Sequence, residues 1–116
     1  MASVLVLGFD PHAVSGMDGD AMREVLDAEL GRFGERGVNA AMALIPPDES
    51  AEAVVVAALA EGTWDVVVIG GGIRKPEALL TFFERVVNLV RLHAPAAAIA
   101  FNSSGGDSVE AAGRWL

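Results

Sequence analysis

Val66-Val67-Val68-Ile69-Gly70-Gly71-Gly72-Ile73-Arg74-Lys75-Pro76 decides the fold. An unbroken run of β-branched apolar residues reads as a strand buried on both faces, the signature of a parallel sheet. The glycines end that strand, and Pro76 opens a helical pattern running to about His93, at a position where its missing N–H costs nothing. A turn of this kind needs a positive φ at one of Gly70, Gly71 and Gly72, or a backbone approach too close for a side chain. Free amides at a helix start attract anions, and Arg74-Lys75 is the only adjacent basic pair in the chain. The stretch is therefore also the first candidate site.

Outward from it, strand and helix patterns alternate. Val4-Leu5-Val6-Leu7 is a first apolar run, followed by a loop through Pro11, Gly16 and Gly19. Asp18 or Asp20 can cap the next helix, whose Met22, Val25, Leu26, Leu30 and Phe33 share one side and which Gly37 ends. Val38 to Ile45 reads as a second strand stopped by Pro46-Pro47. A second helix follows from Asp48 or Ser50, through Val54, Val55, Ala58 and Leu59, to Gly62. Beyond the glycine-tipped strand and its helix, Ala96 to Phe101 is a fourth strand. Asp107-Ser108-Val109-Glu110 then has the spacing of a capping box for a short final helix.

The predicted architecture is a single α/β domain over residues 1–116, with a four-stranded parallel sheet in order 2-1-3-4 and helices on both faces. Ligands of such sheets sit beyond the carboxyl ends of the strands, where the strand order reverses. Topology thus gathers the loops Asp10–Ser15, Gly70–Lys75 and Asn102–Gly106 at one end of the molecule.

Composition narrows the function. A net charge of −8, from 8 basic and 16 acidic residues, disfavours nucleic acid, which needs a basic footprint. The absence of cysteine removes disulfides, thiolate metal sites and thiol nucleophiles. No apolar run approaches the ~20 residues of a membrane span, and the start Met1-Ala2-Ser3 has no signal-peptide pattern, so a cytoplasmic protein is expected.

At the level of fold the chain resembles the flavodoxin-like, Rossmann-like group. Its second half resembles a phosphorelay receiver shortened by one strand and helix. A receiver carries an acidic pair after strand one and a phospho-accepting Asp after strand three; this chain has Asp10 alone and Gly70 or Gly71. Asn102 or Ser103 matches the receiver's hydroxyl position, but the strand that brings its lysine is missing. A pseudo-receiver used for protein contact is what that resemblance leaves. Flavodoxins use a hydroxyl-rich first loop and aromatic walls, whereas Phe9-Asp10-Pro11-His12-Ala13 has few hydroxyls and the chain has no tyrosine. More closely, the chain is similar to short uncharacterised bacterial proteins with a VVIGGGIRKP-like turn and an AIAFN-like strand, a resemblance that implies fold and no particular activity.

The sharper motifs fall short. The glycine triplet follows the third strand and is not the dinucleotide fingerprint, since Lys75 occupies its last glycine position. Asp10-Pro11-His12-Ala13-Val14-Ser15-Gly16 is similar to the cobalamin D-x-H-x-x-G loop with its glycine one residue late. Asp10 and His12 alone supply too few ligands for a metal, and no cofactor is expected. Asn102-Ser103-Ser104-Gly105 is not a nucleophile elbow. The reading that remains is a small binding or interaction protein with an anion-accepting cleft at the strand carboxyl ends. Gly70, Gly71, Gly72, Arg74 and Lys75 would hold the anion, and Asp10, His12, Asn102, Ser103 and Ser104 would add hydrogen bonds. The alternative is an enzyme acting on a phosphorylated or carboxylated metabolite, with His12 or Asp10 carrying the proton. The uncovered edge of strand four and the wide apolar stripe of the third helix add the expectation of a homodimer.

Overall fold

A computed structural model describes residues 1–116. The strands β1 (Ser3–Phe9), β2 (Asn39–Ile45), β3 (Val66–Ile69) and β4 (Ala98–Phe101) form one parallel sheet in the order β2-β1-β3-β4. The expected order is present, and so is the doubly wound, flavodoxin-like or Rossmann-like arrangement. The register sets Leu7 beside Ala43 and Ile69, and Ile69 beside Phe101.

Every residue of β3 is buried because its side chains alternate between two cores. Val67 and Ile69 join Leu5, Leu7 and Ile45 against Val55 and Leu59 of α2 (Ala51–Ala60) and Val86 and Val90 of α4 (Leu80–His93). Val66 and Val68 join Val4, Val6 and Ala100 against Phe33 of α1 (Gly19–Glu35) and Val109, Ala111 and Ala112 of α5 (Ser108–Gly113). Helices therefore cover both faces. Each fully buried valine or leucine in these layers is worth about 1.5–3 kcal/mol of transfer free energy.

Helix ends follow local chemistry where the partner is near in sequence. Asp18 Oδ1 accepts from Ala21 N–H and caps α1. At its other end Gly37 takes φ 71°, Gly37 N–H donates to Gly34 and Val38 N–H to Phe33, a Schellman closure.

Two local expectations are corrected. The helix after β3 does not begin at Pro76: a single turn, α3 (Gly71–Arg74), starts directly after Gly70, and Pro76 instead precedes a 3₁₀ turn at Glu77–Leu79 that leads into α4. Proline has no N–H to carry the α3 pattern onward, so Lys75 N–H to Gly71 O is the turn's last bond. The capping box at Asp107–Glu110 does not form. Asp107 turns back to the loop before it, Glu110 pairs with Arg32, and Glu29 of α1 caps α5 by accepting from Val109 N–H at 2.8 Å. Glu29 is only 2% exposed, and both its oxygens also accept from Arg32.

Candidate functional site

The tips of β1 and β3 come together at the point where the strand order reverses. Gly70 N–H donates to Leu7 O at 2.9 Å, and a Cβ on Gly70 would stand 3.0 Å from that same oxygen. None of Gly70, Gly71 and Gly72 has positive φ; only Gly16 and Gly37 do. The close-approach arm of the turn expectation is therefore the one realised, at Gly70.

Beside this junction, on the α1 face of the sheet, opens a cleft of about 280 Å³. Val6 and Gly8 of β1 and Met42 of β2 form its floor, Met22 and Leu26 of α1 its roof, and Gly70–Gly72 one flank. Val14 and Met17 from the first loop and Gly105 from the last stand at its sides. A Cβ on Gly105 would meet Leu26 and Met22 at 3.3 Å, so that glycine lets the last loop lie close on α1. Gly8 differs: a Cβ there would have no heavy atom within 4 Å. Its missing side chain leaves cleft space open.

Among the residues singled out from sequence, Gly70, Gly71, Gly72 and Asn102 line the cleft. Asn102, 6% exposed, is committed to the protein: Oδ1 accepts from Gly71 N–H at 3.0 Å and Nδ2 donates to Ser108 Oγ at 3.0 Å. The two cations do not line it. Arg74 Nε donates to Ile69 O at 3.0 Å, its terminal nitrogen donates to Asn102 O, and its guanidinium lies 5.1 Å above the centre of the Phe101 ring. Lys75 folds back over Gly71 and donates to Ser103 O. Both cations thus tie the loop after β4 to the loop after β3.

Ser103 and Ser104 lie one loop away from that flank. Their amides, with the Ser103 hydroxyl, donate to the Asp107 carboxylate, and Ser104 Oγ accepts from Gly106 N–H. Partial burial pushes the Asp107 carboxyl up, but the hydrogen bonds from Ser103 and Ser104 together outweigh it and hold it below the ordinary range. These serines organise a turn.

Asp10 and His12 form a separate clasp at the start of the first loop. His12 Nε2 lies 2.9 Å from Asp20 and Nδ1 3.7 Å from Asp10, whose Oδ1 accepts from His12 N–H. The Asp20 hydrogen bond is the main reason the imidazole titrates above its usual value; desolvation and Arg23 oppose it, and the charges of Asp20 and Asp10 add to it. A Cβ on Gly19 would stand 2.6 Å from the His12 ring, so Gly19 makes room for the clasp.

Among the lining residues that sequence reasoning missed are Val14, Met17, Met22, Leu26 and Met42, with Gly8. Met17, Met22 and Met42 are three of the four methionines in the chain, a clustering that becomes visible only when β1, β2 and α1 are brought together. Comparison with protein-family models, with curated proteins and with solved structures returns no match.

Proposed function

We propose that this chain is a small-molecule-binding protein whose ligand occupies the cleft between β1, α1 and the Gly70–Gly72 turn. The observation that carries the reading is the open volume of about 280 Å³ at the reversal of strand order, where doubly wound sheets take their ligands. Arg74 and Lys75 are engaged with backbone carbonyls, so the geometry favours a ligand held by apolar contact over the anion expected from their sequence position. An enzymatic reading draws no comparable support: His12 pairs with Asp20 and the serines bond within their own turn.

The test is mass spectrometry of small molecules released from protein made in its native host, compared with Gly8→Leu, whose side chain would fill the floor of the cleft. A compound carried by the wild type and lost from Gly8→Leu is the expected result. Identical contents in the two proteins would remove the cleft as the binding site.

A second reading, protein contact through a homodimer, rests on a different observation. The outer edge of β4 has no strand beside it, and Phe101 at its tip is 42% exposed. Arg114 covers one carbonyl of that edge by donating to Phe101 O.

A further inference from the structure

The lining of the cleft points to the chemistry of its occupant. No charged side chain lines it, and its one polar side chain, Asn102, has its oxygen and nitrogen already paired. A charged ligand would lose hydration there and meet no charged side chain in return, which disfavours anions and cations alike. The surrounding charge of −8 further repels anions.

Shape narrows the class again. Gly8, Gly70, Gly71 and Gly72 present bare backbone along floor and flank, and a Cβ on Gly72 would touch nothing nearer than Phe9 at 3.8 Å. Across the space from that surface stands Met22, its sulfur against Gly105, with the 42% exposed Met17 at the mouth and Met42 in the floor beside Val6. Flat backbone and polarizable sulfur together suit a planar ring, since thioethers gain from contact with aromatic rings. A cavity of about 150 Å³ lined by apolar side chains accommodates benzene. The cleft here, at about 280 Å³, is nearly twice that size.

We propose that the ligand is an uncharged, planar aromatic molecule of two fused rings, of the size of indole or naphthalene, lying between the Gly8 backbone and the Met22 thioether. The proposal rests on the small-molecule reading above and specifies its ligand class. A ring in this position would shield the methionine methyls nearest its face, an effect that an aliphatic ligand of equal volume cannot produce.

The full chain, carrying ¹³C-methyl methionine, is titrated separately with indole, with hexan-1-ol and with indole-3-acetate, and followed by NMR. Indole is expected to move the Met22 methyl upfield and to shift the Met17 and Met42 methyls in the direction set by whether each lies over the ring face or at its edge, while Met1 stays in place. Its affinity should exceed those of the alcohol and the carboxylate by at least about tenfold, equivalent to ~1.4 kcal/mol. Gly8→Leu should abolish the shifts. Equal or tighter binding of hexan-1-ol at the same methyls would overturn the aromatic assignment while leaving the cleft a binding site. Equal binding of indole-3-acetate would overturn the requirement for an uncharged ligand. No movement of these methyls with any probe would overturn both the ligand class and the binding reading. The titration of the unmodified chain decides these outcomes even if Gly8→Leu fails to fold.

Discussion

At Gly70 the backbone of β3 passes so close to β1 that a side chain has nowhere to go. Its φ of −67° is open to any residue, so the constraint is contact with the Leu7 carbonyl and not conformation. Gly70→Val should therefore lower stability by about 1–3 kcal/mol, the usual cost of overpacking, because a carbonyl fixed in a strand cannot retreat. Gly72→Ala, with its nearest neighbour at 3.8 Å, should change the unfolding midpoint little. Urea denaturation of the two variants separates a close approach at Gly70 from a general need for glycine in the turn. Arg74 makes a second prediction at this scale. Its fork joins the end of β3 to the residue after β4, across Ile69 O and Asn102 O. Charge-assisted hydrogen bonds of this sort are worth about 1.5–3 kcal/mol, so Arg74→Ala should shift the midpoint accordingly with an unchanged slope. Arg74→Lys should recover only a minor part, since an ammonium keeps the charge but not the planar fork.

Between elements, the contacts that matter join segments far apart in the chain. Glu29 binds α1 to the start of α5 across 80 residues, and Arg32 extends the link to Glu110. Glu29→Ala should cost about 2–3 kcal/mol in chemical denaturation. That is less than the ~3–5 kcal/mol of a fully buried pair, because Arg32 keeps Glu110 and reaches water. Glu29→Gln retains an acceptor for Val109 N–H and should cost less. The first loop is held to α1 by His12, whose folded pKa is raised above about 6.5. A raised value means that the clasp contributes fully below the unfolded pKa and is lost as pH rises through the folded one. The melting-temperature advantage of the wild type over His12→Asn should be largest at about pH 5.5–6 and shrink above the folded value. An advantage that grew with pH would contradict a clasp made by the imidazolium.

For the whole molecule, the homodimer reading predicts a species of twice the monomer mass in light scattering at micromolar concentration, reduced to a monomer by Phe101→Lys or by Leu92→Lys, since Leu92 is 72% exposed on α4. A monomer whose hydrodynamics neither change alters would end that reading. The architecture was legible in advance because its signals are local: β3 is one apolar run, and Gly37 and Asp18 stop and start α1 through neighbours a few residues away. That a cleft opens where the strand order reverses followed from the order alone. Its chemistry did not, because the direction in which Arg74 and Lys75 point depends on where the loop after β4 arrives, some 28 residues later in sequence. For the same reason Met22, Met42 and Gly8 looked like ordinary helix, strand and strand-end residues until the sheet placed them around one space. Asp107 and Glu110 matched the spacing of a cap, but Glu29, with its buried carboxylate, took the amide.

The strand order also has a consequence for the growing chain. β1 leaves the ribosome first yet ends in the middle of the sheet, paired with β2 on one side and with β3 on the other. Once β2 has emerged, β1 can pair along one flank only, and its other flank of Val4, Leu5, Val6 and Leu7 waits for a strand that begins at Val66. Until Val66–Ile69 has emerged and docked, a nascent protein that has paired β1 with β2 therefore displays a bare strand edge, the kind of surface that recruits wrong partners. The brevity of β3, a four-residue strand of β-branched side chains, suits this timing: little chain has to be added before the gap beside β1 is closed.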